Sequence, residues 1–179
     1  NLDQKNNYGV LEIGMDKKGE IDYLSKIVKP DVSVITNINY AHAKNFKNIK
    51  QIALAKSEII NNTKINGAVV LNADDNFYTL HKKIANKRKL KILSFGIDNQ
   101  NANIKLISIK KIANKFKVNI RVNNLKTHFF ISNNFQNNIL NILAALAVMS
   151  VFLDIFKLNK NFFLGFKTPN GRGDITKIK

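Results

Sequence analysis

Pro30-Asp31-Val32-Ser33-Val34-Ile35-Thr36-Asn37-Ile38 decides the fold, because Val32 to Thr36 reads as a short, largely buried strand between two helical patterns. Upstream, Tyr8 to Ile13 reads as a first strand and Glu20 to Val28 as a helix. Downstream, a helix is expected from about Asn48 to Asn61, then a strand over Gly67 to Leu71. Asp75 to Ala85 follows as a helix that Asp74 or Asp75 could cap, and Leu90 to Phe95 as a strand ended by Gly96. Strands alternating with helices imply an α/β fold, a mostly parallel sheet covered on both faces. From residue 103 the pattern changes to Ile104-Leu106-Ile109, Phe116-Val118-Ile120-Val122 and Leu125 to Ile131, separated by Asn-rich turns. That alternation predicts an antiparallel extension near 103–131. The chain then returns to helix over Gln136 to Leu153, with a shorter helix near Lys160 to Phe166. No internal repeat or interdomain linker is visible.

The 179 residues, 45% hydrophobic, suffice for one sizeable core in one domain. The absence of cysteine excludes disulfides and thiolate metal sites and is compatible with a reducing cytoplasm. The apolar run Ile139 to Leu153 is interrupted by Asn141 and Ser150 and falls short of the ~20 residues that span a bilayer, so a buried core helix is expected and no membrane insertion. A net charge of +17 would ordinarily raise a polyanion partner. Here the charge is spread along the chain, only Arg88, Arg121 and Arg172 are arginines, and the Asn, Ile and Lys excess is the usage of an A+T-biased genome. No nucleic-acid partner is therefore expected.

The strand at Val32 runs on into Thr36-Asn37-Ile38-Asn39-Tyr40-Ala41-His42, and Lys56 stands fourteen residues beyond the histidine. On a helix, Ile49, Ile52, Ala53, Ile59 and Ile60 share one stripe, and Lys56 falls inside it while Lys50, Gln51, Ser57 and Asn61 point elsewhere. Burying a bare ammonium costs on the order of several kcal/mol unless it is paired, neutralised or chemically changed. Alternatively, its stem lies along apolar surface with the head in water.

Further segments follow in a characteristic order: Val10-Leu11-Glu12-Ile13-Gly14-Met15, Gly19-Glu20-Ile21, Val34-Ile35-Thr36-Asn37-Ile38, Ala41-His42 and Ala55-Lys56-Ser57-Glu58-Ile59. Val70-Leu71-Asn72-Ala73-Asp74-Asp75, Asn138-Ile139-Leu140-Asn141-Ile142-Leu143-Ala144-Ala145 and Gly171-Arg172-Gly173 complete it. Read together they resemble the central domain of the Mur ligases, ATP-dependent enzymes that add amino acids to the peptidoglycan precursor. Glu12 before Gly14-Met15 and Gly19-Glu20-Ile21 resembles the MurF type, which joins D-Ala-D-Ala to UDP-MurNAc-tripeptide. The resemblance is dense over residues 8–75 and 136–173; residues 97–133 carry no motif of the family.

The resemblance implies an acyl phosphate made with ATP and Mg²⁺, attack by the incoming amine, and release of ADP and phosphate. Glu12, at the carboxyl end of the first expected strand, matches a glutamate that binds Mg²⁺. His42 matches a histidine that helps hold a second Mg²⁺, although a lone loop histidine is ordinarily a surface group. Lys56 matches a lysine usually carbamylated by CO₂, a change that would turn a cation into an anionic oxygen ligand and resolve its burial. Asn138 and Asn141 match asparagines that contact adenine, yet the family's His-Asn is here Asn137-Asn138, and helix capping is the plain alternative. Arg172 matches an arginine that reaches the nucleotide, a role suited to its bidentate fork. For Asn72-Ala73-Asp74-Asp75 an Asx turn and a helix cap suffice.

Gly14-Met-Asp-Lys-Lys-Gly19 has the outer glycine spacing of a phosphate loop, but Glu20 and Ile21 stand where Lys and Ser/Thr belong, and a carboxylate would repel phosphates. No other such loop occurs in the 179 residues. With Asn1 in place of methionine and Lys179 close behind Arg172, the expectation is a partial central domain without the phosphate loop, the N-terminal UDP-substrate domain or the C-terminal domain. The parent is expected to be a cytoplasmic monomer. Another Mur or folylpolyglutamate-type ligase is the nearest alternative, and a non-catalytic basic nucleic-acid-binding domain the alternative from another class. The isolated chain should release no phosphate from Mg²⁺-ATP in a coupled assay; robust turnover would show that the missing loop is dispensable.

Overall fold

The computed structural model describes residues 5–40, 45–132 and 138–166. Its centre is a six-stranded sheet whose order follows the chain: β1 (Val32–Ile35), β2 (Ala68–Asn72), β3 (Lys91–Gly96), β4 (Ile104–Ile112), β5 (Lys115–Val122) and β6 (Leu125–Ser132). β1, β2 and β3 pair in parallel, with Ile35 opposite Leu71 and Leu71 opposite Ser94. The helices α2 (Ile49–Lys56) and α3 (Glu58–Asn62) form the crossover from β1 to β2, and α4 (Tyr78–Lys87) the crossover from β2 to β3. α1 (Glu20–Val28) precedes β1, and α5 (Ile139–Phe152) follows β6.

β3 and β4 are parallel over only Phe95–Ile104 and Gly96–Lys105. A short connection suffices because β4 begins where β3 ends, whereas a full parallel pair needs a long crossover. β4, β5 and β6 then continue as antiparallel hairpins, with Val118 opposite both Ile109 and Phe129. This is the α/β sheet with the antiparallel extension expected for 103–131.

Two apolar layers sandwich the parallel strands. Val70, Phe95, Ile104, Val118, Ile120 and Ile131 pack with Ile142, Leu143 and Leu146 of α5 on one face. Val69 and Leu71 pack with Ile35, Ile60, Ala85 and Leu90 on the other. The period-2 alternation of Val69, Val70 and Leu71 thus feeds opposite layers. A third cluster of Met15, Ile21, Ile52 and Ala55 fastens the N-terminal segment and α1 to α2.

Three expectations need correction. Tyr8 to Ile13 is not a strand: the segment makes no ladder with β1, Tyr8 instead sets its ring 5.2 Å from that of Phe152, and Val10 is 96% exposed. The strand propensity of Val10, Leu11 and Ile13 is realised only beside a partner strand. The helix expected over 48–61 breaks at Ser57, whose Oγ–H donates to the Leu54 carbonyl at 2.7 Å while Ile60 N–H reaches only back to Ser57 O, so a hydroxyl competes with the helical ladder. Over 160–166 the chain makes successive turns rather than a helix, with Phe162 N–H to Asn159 O, Leu164 N–H to Asn161 O and Phe166 N–H to Phe163 O. They seat Phe163, 4% exposed, against Phe129. No helix among the described residues is long and apolar enough to cross a membrane.

Leu143 is fully buried between α5 and the sheet, so Leu143→Ala should cost about 2–5 kcal/mol of unfolding free energy, read from urea denaturation. Ala145→Ser, on the exposed side of the same helix, should stay within about 0.5 kcal/mol.

Candidate active site

The parallel register brings the carboxyl ends of β1, β2 and β3 to one edge of the sheet, the edge at which open α/β sheets bind ligands. There the polypeptide leaves β1 through Thr36, Asn37 and Ile38, and leaves β2 through the turn Asn72-Ala73-Asp74-Asp75. Asn72 is 7% exposed; its Nδ2 donates to Thr36 O at 3.0 Å, and its Oδ1 accepts the Asp74 N–H at 2.9 Å, the Asx turn expected from the sequence. Asp75 accepts the N–H of Phe77 and, across to the other strand end, the N–H of Ile38, each at 2.8 Å. α4 starts only at Tyr78, so neither aspartate is its N-cap; Asp75 instead closes the turn before it. Asp74 faces the other way and accepts the N–H groups of Ile97, Asp98 and Asn99 beyond β3.

Lys56 is the last residue of α2, a helix end whose partial negative charge favours a cation. The side chain is half-buried and its Nζ donates to Asn37 O at 2.9 Å. Burial holds the pKa of this ammonium below the ordinary lysine range, and the Asp75 carboxylate nearby opposes that shift. The stripe that singled out Lys56 is real, since Ile52, Ala53 and Ile60 are buried, and among the described residues the amine is held by a backbone carbonyl rather than by a salt bridge.

His81, beneath this edge, is 2% exposed, and its Nε2–H donates to Ala53 O at 3.1 Å. Burial pushes its pKa below the ordinary imidazole value, opposed by the hydrogen bond to Ala53 and by Asp75. On α1, Gly19 at φ +91° turns its N–H toward the Glu58 carboxylate at 3.0 Å, and Glu58 also accepts the N–H of Asp22 at 3.1 Å. A carboxylate from α3 thereby caps α1 across the structure. Glu20 folds back into the Gly14–Gly19 loop and accepts the N–H of Asp16 and of Lys17, interactions that hold its carboxyl below the usual range. The amides a phosphate loop would offer to phosphate here serve a carboxylate of the same chain, in keeping with the sequence-based rejection of that loop.

The other candidates are less concentrated. Glu12 is exposed in the irregular segment before Met15 rather than at a strand end. Asn138 is the N-cap residue of α5 and Asn141 lies in its first turn; Asn138 makes no side-chain cap bond, and Asn141 Nδ2 lies 3.5 Å from Asn138 Oδ1. His42 and Arg172 lie outside the described residues. Among the described residues no group of three or more His, Cys, Asp or Glu side chains could hold a metal ion. Sequence reasoning missed His81, Glu58 and the reach of Asn72 and Asp75 to the Thr36–Ile38 segment. The Asn-x-Asp-Asp spacing was the available signal for the last two, whereas nothing local marks a buried histidine whose partner lies on another helix.

The Mur ligase middle domain family matches residues 1–149. Among curated relatives, the UDP-N-acetylmuramoyl-tripeptide--D-alanyl-D-alanine ligase of Rickettsia prowazekii is 30% identical over 96% of this chain and 38% of its own length. The ligase of the same name from Buchnera aphidicola (subsp. Acyrthosiphon pisum) is 38% identical over 72% of this chain and 26% of its own. A crystal structure of MurF from Acinetobacter baumannii superimposes with a TM-score of 0.75 at 26% identity, covering 87% of this chain and 33% of that one. The MurF ligase of Thermotoga maritima, in complex with ADP, superimposes with a TM-score of 0.73 at 28% identity, covering 92% and 38%. This chain therefore spans about a quarter to two-fifths of the length of these relatives.

One prediction follows from His81. Because its folded pKa is depressed, the unfolded chain takes up the proton first: stability should be flat above the ordinary value of 6.5 and fall as the pH drops below it. In urea titrations from pH 8 to 5, His81→Gln should flatten that fall; an unchanged profile would place the proton uptake elsewhere. The family match over residues 1–149, the mixed sheet and the MurF structures that overlie it lead to one conclusion: the chain belongs to the Mur ligase family, within its middle domain, and is most like MurF.

Proposed function

We propose that this chain is the ATP-using central domain of a cytoplasmic ligase that joins D-Ala-D-Ala to UDP-MurNAc-tripeptide through an acyl phosphate, releasing ADP and phosphate. The observation that carries this reading is the joint similarity in sequence and fold to MurF ligases, one of them solved with ADP, over 92–96% of this chain. The 179 residues carry no phosphate-loop motif and span up to 38% of these relatives' length, so in this reading the chain supplies part of the machinery.

In this reading Glu12, His42 and Lys56 hold Mg²⁺, and Asn138, Asn141 and Arg172 hold the nucleotide. Lysine as an amine does not suit a hard divalent cation, which takes oxygen ligands. As a carbamate it does: the neutral Nζ lone pair attacks CO₂, a C–N bond forms, a C–O π pair moves onto oxygen, and one proton leaves to water. The half-burial of Lys56, which favours the neutral amine, supports that chemistry. When bound, Mg²⁺ would offset the charge of the transferring phosphoryl group. The chain's own residues position the parts: α2 presents Lys56 at the strand ends, and Asn37 O holds its nitrogen.

The test joins this domain to a phosphate loop and the two substrate domains. ADP release should require both UDP-MurNAc-tripeptide and D-Ala-D-Ala, and Lys56→Ala should lower kcat by at least about 100-fold, on the order of a lost electrostatic group. Turnover with a folate and glutamate instead would assign the chain to the folylpolyglutamate type. Normal turnover by Lys56→Ala would remove the lysine from the site.

A further inference from the structure

We propose that Asn72 and Asp75 form a positioning clamp for the Lys56 amine, a role beyond the strand-to-helix turn they build; the proposal rests on the reading of Lys56 as a residue of the catalytic centre. Three consecutive residues after β1 are each held by a different side chain. Thr36 O accepts from Asn72 Nδ2 at 3.0 Å, Asn37 O accepts from Lys56 Nζ at 2.9 Å, and Ile38 N–H donates to Asp75 Oδ2 at 2.8 Å. The carbonyl that holds Lys56 is thus fixed on both sides, by Asn72 at the end of the neighbouring strand and by Asp75 in the turn after it. Asp75 is itself fixed by the Phe77 N–H, and Asn72 by the Asp74 N–H.

The turn has two arms, and only one reaches β1. Asp74 sits between Asn72 and Asp75 yet binds the 97–99 backbone beyond β3. Asn72 and Asp75 supply the hydrogen bonds on either side of the Asn37 carbonyl, and Asp74 supplies none there, so the two arms can be tested apart. β1 has a hydrogen-bonded neighbour only on the β2 side among the described residues, so the peptides beyond Ile35 lack the two-sided pairing that β2 enjoys. Side chains from the end of β2 and the turn after it make up for that at the place where the Lys56 acceptor sits. The clamp also acts on the carbamate. A carbamate nitrogen keeps one hydrogen, so Asn37 O still accepts from it, and the placement of that carbonyl sets the direction in which the new oxygens face.

The test is acetylation of the 179-residue chain with an N-hydroxysuccinimide acetate, followed at each lysine by peptide mass spectrometry. Compared as the rate constant of the neutral amine, taken from the pH dependence of labelling so that the lowered pKa of Lys56 does not enter, Lys56 in the native sequence should label at least about fivefold more slowly than Lys50, which is exposed on the same helix, a factor of the size one hydrogen bond supplies. Asn72→Ala, which alters no charge, and Asp75→Ala should each bring Lys56 close to the Lys50 rate, while Asp74→Ala should leave Lys56 slow. Lys56 staying slow in both Asn72→Ala and Asp75→Ala would overturn the clamp, and so would equal acceleration by all three substitutions. Asp75→Asn, of the same shape with one acceptor oxygen fewer, covers the case in which Asp75→Ala does not fold; it should accelerate Lys56 partway, and no acceleration would count against the clamp. ¹³C NMR of the same proteins in ¹³C-bicarbonate reads the carbamate separately. Its absence from the native chain would remove the metal-ligand reading of Lys56 and leave the labelling result to decide the clamp.

Discussion

The structure depends on the complete burial of β2. Every residue from Ala68 to Asn72 is buried, with parallel partners on both sides and helices on both faces. A strand so placed can leave no backbone group unpaired without a cost on the order of 1–3 kcal/mol, which requires β1 and β3 beside it. It can leave neither side-chain row in water, which requires α5 against Val70 and α3 with α4 against Val69 and Leu71. Most of the molecule is the set of elements that satisfies those demands.

The same constraint creates the site. A parallel sheet delivers all its strand ends of one kind to one edge, and the residue that ends β2 must be polar yet nearly buried. Asn72 meets this by turning both ends of its amide to protein partners, Thr36 O and the Asp74 N–H. That satisfaction of a buried polar group is also what ties the Asn72–Asp75 turn to the segment beyond β1, where Lys56 is held. Stability and positioning are carried by the same hydrogen bonds, which is why a turn that reads as punctuation sits at the candidate centre. The antiparallel strands β4 to β6 stand apart from this edge; they extend the core under α5 and receive Phe163 from the chain's last described turns.

The alternation of strand and helix, the change to antiparallel strands near residue 103 and the anomaly of Lys56 were legible in the sequence because each is a matter of local period or of one residue set against its neighbours. The same local reasoning failed where a partner was needed. Tyr8 to Ile13 has strand-like residues and no ladder; Ser57 divides a continuous helical pattern through its own hydroxyl; 160–166 turns repeatedly so that Phe163 can meet Phe129. In the site, Lys56 was visible, but its acceptor is 19 residues away and the carboxylate that fixes the next peptide is 37 residues from it. His81 meets Ala53 across 28 residues and two helices.

The amino-acid sequence by itself determined the class of fold, the order of its elements, the family resemblance and the lysine that needs an explanation, since hydrophobic period, turn chemistry and motif order are written in consecutive residues. Tertiary structure alone decided what that lysine touches, which way each aspartate of the Asn72–Asp75 turn faces, and that Glu58 caps a helix distant in the chain. Those outcomes are settled by strand register and by the need of every buried donor and acceptor to find a partner, and both are properties of the packed molecule rather than of any stretch of it.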